Sequence, residues 1–135
     1  MAKVHKTDKE WRETLTDEQY RVLRQKGTEM PFSGSLRTNT KPGEYRCAAC
    51  GSLIFDGSQK YESTIPTLVG WPSFAEAVPD SLEYHTDYSY GMIRTEISCA
   101  TCGSHFGHLF EDDSSPSGKH YCVSSVCLDF KPKAE

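Results

Sequence analysis

Six cysteines and five histidines in 135 residues are the side chains here best suited to chemistry, and four of the cysteines fall into a repeated pattern. Tyr45-Arg46-Cys47-Ala48-Ala49-Cys50-Gly51 and Ile97-Ser98-Cys99-Ala100-Thr101-Cys102-Gly103 each run a strand-like stretch into Cys-x-x-Cys-Gly. The two-residue gap lets both sulfurs face one ion, and the glycine permits the tight turn that wraps backbone around it. Two such knuckles supply Cys47, Cys50, Cys99 and Cys102 as four thiolates for a tetrahedral zinc. The 48 residues between the pairs, 51 to 98, exceed the interval of a compact zinc ribbon, so the site joins distant parts of the fold. A closed four-thiolate site has no open coordination position and supports structure without catalysing. Two redox-active dithiols or two disulfides are the competing readings, and Cys102-x-x-His105 also has ligand spacing.

Cys122 and Cys127 are left over. Read as one strand, His120 to Phe130 puts His120, Cys122 and Ser124 on one face and Tyr121, Val123 and Cys127 on the other. A thiol between polar neighbours is a candidate nucleophile, because a nearby imidazolium raises its thiolate fraction. Cys127 shares its face with Val123 and reads as structural. In extended chain the two lie roughly 16 Å apart, beyond the ~7 Å a disulfide allows between Cα atoms. His105 and His108 sit on opposite faces of a regular strand, but a bulge at Gly107 brings them to one side. Asp112 can orient an imidazole, although Glu111-Asp112-Asp113 is equally a solvated turn. Gly70-Trp71-Pro72-Ser73-Phe74 sets two aromatic rings around a proline, a pattern of core packing and also of pockets that hold a methyl group.

The elements that must position these residues are short. Thr7 or Asp8 caps a first helix carrying Trp11 and Leu15. Thr16 with Gln19 has capping-box spacing for a second, with Tyr20 and Leu23 on one face and Gly27 as its closing residue. From Met30 onward Gly, Pro, Ser, Asn and Asp break the chain into candidate strands at Gly43–Cys47, Leu53–Phe55, Gly91–Ser98, His105–Phe110 and His120–Phe130. Residues 64–70 and 112–118 read as loops. The expected fold is mainly β: two antiparallel sheets in a small sandwich or barrel, with short N-terminal helices and a structural zinc knuckle pair. It forms one domain over 1–135, with flexible ends at 1–7 and 132–135.

Composition narrows the function. Nineteen acidic against fifteen basic residues give a net charge of −4, which argues against a nucleic-acid zinc ribbon. No apolar run has the length of a membrane span, and Met1 to Lys6 lacks the apolar core of a signal peptide. The expected setting is the cytoplasm, where paired cysteines more often bind metal or do chemistry than form structural disulfides.

Taken together, these motifs resemble the B-type methionine sulfoxide reductases, the methionine-R-sulfoxide reductases. The likeness runs from Asp8 to Lys131 and includes GTEMPF at 27–32, both knuckles, GWPSF at 70–74, GMIRTEI at 91–97, HFGHLF at 105–110 and HYCVSSVCL at 120–128. It implies that Cys122 is the nucleophile, that His105 and His108 are the active-site pair with Asp112 the acid after them, and that Trp71 packs the substrate methyl. Phe74, His120 and Ser124 are expected to complete the substrate site. The reaction implied is reduction of methionine-R-sulfoxide, protein-bound or free, by a monomer with structural zinc, through a Cys122 sulfenic acid that a thiol clears. The rival reading is a non-catalytic zinc-bearing β domain that binds a protein or small ligand in the same cleft.

Three positions depart from the family pattern. His120 stands where the family has Arg, and Ser124 where it has Asn. A permanent cation thus becomes a titratable one, and activity is expected to weaken as pH rises through the His120 pKa. Val69 stands where many members carry a resolving cysteine. The expected cycle therefore uses one cysteine, with thioredoxin, glutaredoxin or a small thiol reducing Cys122 directly.

Overall fold

Two reciprocal caps open a computed structural model that describes residues 7–27, 36, 39, 41–61, 70–88, 91 and 93–132. Thr7 and Glu10 cap α1 (Asp8–Thr14), and Thr16 and Gln19 cap α2 (Asp17–Leu23), each side chain bonding the other's backbone N–H. Each box satisfies two helix-end donors that otherwise lack partners. Trp11, Leu15, Val22 and Leu23 are buried, which docks the helices. Gly27 does not end α2 as expected. The helix stops at Leu23, Lys26 takes the left-handed backbone with φ 57°, and the Gly27 N–H returns to the Arg21 carbonyl at 2.8 Å.

Among the described residues eight strands follow: β1 (Gly43–Cys47), β2 (Leu53–Asp56), β3 (Ser73–Phe74), β4 (Leu82–Asp87), β5 (Arg94–Cys99), β6 (His105–Glu111), β7 (Lys119–Val123) and β8 (Leu128–Pro132). They form two antiparallel sheets, ordered β2-β1-β8 and β3-β7-β6-β5-β4. The expected strand from His120 to Phe130 is in fact two. It breaks at a 3-10 turn, Ser125–Cys127, so β7 lies in the large sheet and β8 in the small one. β4 was not expected: Glu83, His85 and Asp87 are polar on one face, and only Leu82 and Tyr84 mark the other. Thr7 caps α1 and Pro132 ends β8, so both belong to the fold; the rest of the expected flexible ends, 1–6 and 133–135, and the loop residues 64–69 lie outside the described residues. No described helix is long and apolar enough to cross a membrane.

Aromatic rings from both sheets fill the space between them. Phe74 is fully buried, stacked on Phe55 of β2 with centroids 4.2 Å apart and edge-on to Tyr45 of β1 at 4.9 Å. Tyr121 of β7 meets Phe55 at 5.9 Å. Phe74 is therefore a core residue bridging the sheets and not, as expected, part of a substrate cleft. Phe74→Ala should lower stability by about 3–5 kcal/mol in a denaturant titration, the range for truncating a buried ring; a loss near zero would place the ring on a surface.

Candidate active site and metal centre

Each knuckle turns in the same way. The Gly51 and Gly103 N–H groups return to the Cys47 and Cys99 carbonyls at 2.8 Å, and both glycines take positive φ, 81° and 78°, a conformation that a Cβ would oppose. All four sulfurs lie within 4.8 Å of one another, with Cys47–Cys102 at 3.7 Å and Cys50–Cys99 at 3.6 Å. Tetrahedral zinc with 2.3 Å bonds would set its sulfurs about 3.8 Å apart. Hydrogen bonding to Cys47 pulls the Cys50 and Cys102 thiols down, and bonding to Cys102 pushes Cys47 and Cys99 up. Four thiols this close share protons unequally; a metal ion lets all four be thiolates. The cluster can hold a metal ion, and its donor set is that of zinc.

The second site lies on the face of the large sheet turned away from the aromatic core. Register pairs Ser73 with Cys122, Cys122 with His108, His108 with Glu96, and Glu96 with His85. One cross-strand row thus crosses all five strands, and directly opposed side chains share a face. His105 joins it through a bulge: Ile97 faces Gly107 but Ser98 faces His105. Phe106 is the extra residue, one position before the expected Gly107, and the two imidazole centroids stand 5.7 Å apart. Gly107 has its own function, since a Cβ there would strike the Cys122 carbonyl. Only glycine lets β6 approach β7 this closely.

Each imidazole is held by a different carboxylate. His108 Nε2 lies 2.8 Å from Asp87 Oδ2, which also takes Arg94 at 3.2 Å. His105 Nδ1 lies 2.7 Å from Glu96 Oε2, whose other oxygen takes Lys26 at 3.2 Å. Burial favours a protonated Glu96 carboxyl, yet its bonds to His105 and Lys26 outweigh that and hold it below the usual range. Burial pushes the His105 pKa down despite Glu96. The pair is a neutral imidazole donating Nδ1–H to a carboxylate, with Nε2 left over. Asp87 and Glu96 did not stand out in the sequence; the available signal was an acid inside a β-rich run, where a buried charge requires a partner.

The other candidates divide. Cys122 and Trp71 are half-buried. Asp112 is buried and pairs with His120, at 3.1 Å from Nδ1; its expected partners, His105 and His108, have their own acids. His120 is fully buried, and burial pushes its pKa down against the pull of Asp112. This corrects the expected role: at neutral pH the ring is neutral, and it does not stand in for a permanent cation. Ser124 is buried beyond the end of β7, so strand alternation does not carry it to the Cys122 face. Cys127 lies on the 3-10 turn, fully buried, with its Sγ 3.4 Å from the His105 carbonyl. Val69 lies outside the described residues.

Residues 15–132 match the SelR domain. A peptide methionine sulfoxide reductase MsrB of Methanosarcina barkeri is 50% identical over 133 residues, spanning 98% of this chain and 91% of the relative. The chain belongs to the SelR-domain family of MsrB-type oxidoreductases. The MsrB of Pseudomonas putida strain W619 is 48% identical over 134 residues, covering 98% of both chains, and that of Leptospira interrogans 50% over 129 residues, 95% of both. Among solved structures, the Mis18 Yippee-like domain shares the fold, with a TM-score of 0.51 and 19% identity over 70% of this chain and all of that one.

The two buried rings fix a sign for stability. His105 and His120 have folded pKa values below the unfolded value, so the unfolded chain takes up protons first as pH falls. Glu96, depressed in the fold, loses its contribution further into acid. The denaturation midpoint should therefore fall between pH 7.5 and 5; a midpoint constant over that interval would show that neither ring is held neutral.

Proposed function

We propose that this chain reduces methionine-R-sulfoxide to methionine with Cys122 as nucleophile, on free or protein-bound substrate, as a repair of oxidative damage. The supporting observation is the cross-strand row that sets Cys122 opposite His108, with His105 folded in beside them by the bulge. The Cys122 thiolate attacks the sulfoxide sulfur as His108 protonates the oxygen. Asp87 holds the Nε2–H of His108, so the delivered proton leaves from Nδ1; His105 lies alongside as a neutral ring. The hydroxyl then passes from the substrate sulfur to Cys122: the S–O bond and the new Sγ–S bond break, an Sγ–O bond forms, methionine departs with the Sγ–S electron pair, and Cys122 is left as a sulfenic acid. A first thiol releases water and forms a mixed disulfide, and a second restores Cys122. Trp71, half-buried two residues before Ser73, would receive the methyl group.

The R preference is what the resemblance to the B-type reductases implies. Zinc in the four-sulfur centre would hold the knuckles together and take no part in the reaction. Cys127, the remaining thiol outside the metal cluster, is enclosed, which supports a one-cysteine cycle using thioredoxin or another thiol. Six cysteines present as thiols and not as disulfides fit a reducing compartment such as the cytoplasm.

The protein should turn over the R epimer of a blocked methionine sulfoxide with dithiothreitol, and Cys122→Ser should cut kcat roughly 10⁴-fold or more. Turnover surviving that substitution would overturn the assignment, and binding without turnover in the unmodified protein would favour a non-catalytic binding domain. A Cys122–Cys127 disulfide in the sulfoxide-treated product would refute the one-cysteine cycle. Elemental analysis should return about one zinc per chain; folded protein free of metal would refute the zinc assignment.

A further inference from the structure

The reaction above makes no use of the polar group buried most deeply beside it. His120 is 0% exposed, yet both ring nitrogens have partners: Nδ1 lies 3.1 Å from Asp112 Oδ2 and Nε2 lies 3.1 Å from Ser73 Oγ. Asp112 also receives the Tyr61 hydroxyl at 2.7 Å, the Ser114 N–H at 2.9 Å and the Ser114 hydroxyl at 2.6 Å. A carboxylate only accepts, so His120 Nδ1 carries a hydrogen and donates it. What can vary is Nε2. Bare, it accepts, and the Ser73 hydroxyl must donate to it. Protonated, it donates, and the Ser73 hydrogen must turn elsewhere. Ser73 is 4% exposed, its Oγ is 3.5 Å from the Trp71 carbonyl, and it stands directly opposite Cys122 in the β3–β7 register.

We propose that Asp112, His120 and Ser73 form a positioning relay for Cys122, in which the proton on His120 Nε2 decides whether the Ser73 hydroxyl points into the buried ring or is released toward the thiolate. The proposal rests on Cys122 being the nucleophile. The groups that face His120 are Asp112 from the β6–β7 turn, the Tyr61 ring at 5.7 Å, Phe110 of β6 at 6.2 Å and Ser73 of β3. Along β7 the next residue on its face is Cys122, with His108 opposite. Of these Asp112, Tyr61, Cys122 and His108 carry ionisable side chains, and Asp112 is the one bonded to the ring.

Burial outweighs Asp112 and keeps the ring neutral at neutral pH. The Ser73 hydrogen is then committed to Nε2, and Ser73 offers Cys122 only lone pairs. In acid the ring gains its second proton, Ser73 becomes a donor, and the thiolate gains a hydrogen bond. The relay thus sustains Cys122 reactivity at pH values where a bare cysteine fades.

The test reads the thiol and the ring directly. Iodoacetamide labelling of Cys122, followed by mass spectrometry of its peptide across pH 5 to 9, should show a shoulder below neutrality in the unmodified chain. Ser73→Ala and His120→Arg should remove it, lowering the acid-side rate for Ser73→Ala roughly 2- to 10-fold, the effect of one hydrogen bond. Identical profiles in all three chains would overturn the relay. Nitrogen-15 NMR of the His120 ring in the unmodified chain should find Nδ1 protonated and Nε2 bare at neutral pH; the opposite tautomer would also overturn it, whether or not the variants fold. Neither readout depends on turnover, so failure of the relay is distinct from failure of the reductase assignment, which Cys122→Ser decides.

Discussion

The two sheets are tied at one end by four sulfurs. Cys47 ends β1 of the small sheet and Cys99 ends β5 of the large one, so an ion taken up by the cluster would bind both layers at once. Other parts converge there. Arg24, after α2, donates to the Cys102 carbonyl at 3.0 Å and to Ser104 at 3.1 Å, and the Ala48 N–H reaches the Cys127 carbonyl at 2.9 Å. Closing a loop this long costs entropy that no local contact repays. The sulfur centre and the aromatic layer built on Phe55 and Phe74 carry that cost together.

The reactive face is organised by matching one carboxylate to each of three imidazoles. Glu96 takes His105, Asp87 takes His108 and Asp112 takes His120. The three rings differ in burial and in the nitrogen that remains: His105 is buried, His108 is half-buried opposite Cys122, and His120 is sealed behind it. An Arg at position 120 would have lacked a bare nitrogen and could not accept a hydrogen bond from the Ser73 hydroxyl.

What the sequence made legible was local. Both knuckles, the Thr16–Gln19 capping box and the bounds of β1 follow from residues within a few positions of one another, and one bulge sufficed to anticipate that His105 and His108 share a side. Phe74 was misplaced because its neighbours, Phe55 and Tyr45, come from another sheet. The partners of the imidazoles depended on register between strands, which spacing along one strand cannot supply. The division of residues 120–130 was hidden because Val123 to Cys127 keeps strand-like composition, although Ser124 and Ser125 begin the turn.

That division has a mechanical meaning. Residues 119–132 leave the large sheet at Val123, make one 3-10 turn and enter the small sheet at Leu128, so one short stretch of chain is shared by both layers. Separation of the two layers would have to strain this shared stretch of chain, which couples the strand carrying Cys122 to the small sheet. The strand that carries Cys122 is thereby anchored in the large sheet at one end and continued into the small sheet at the other.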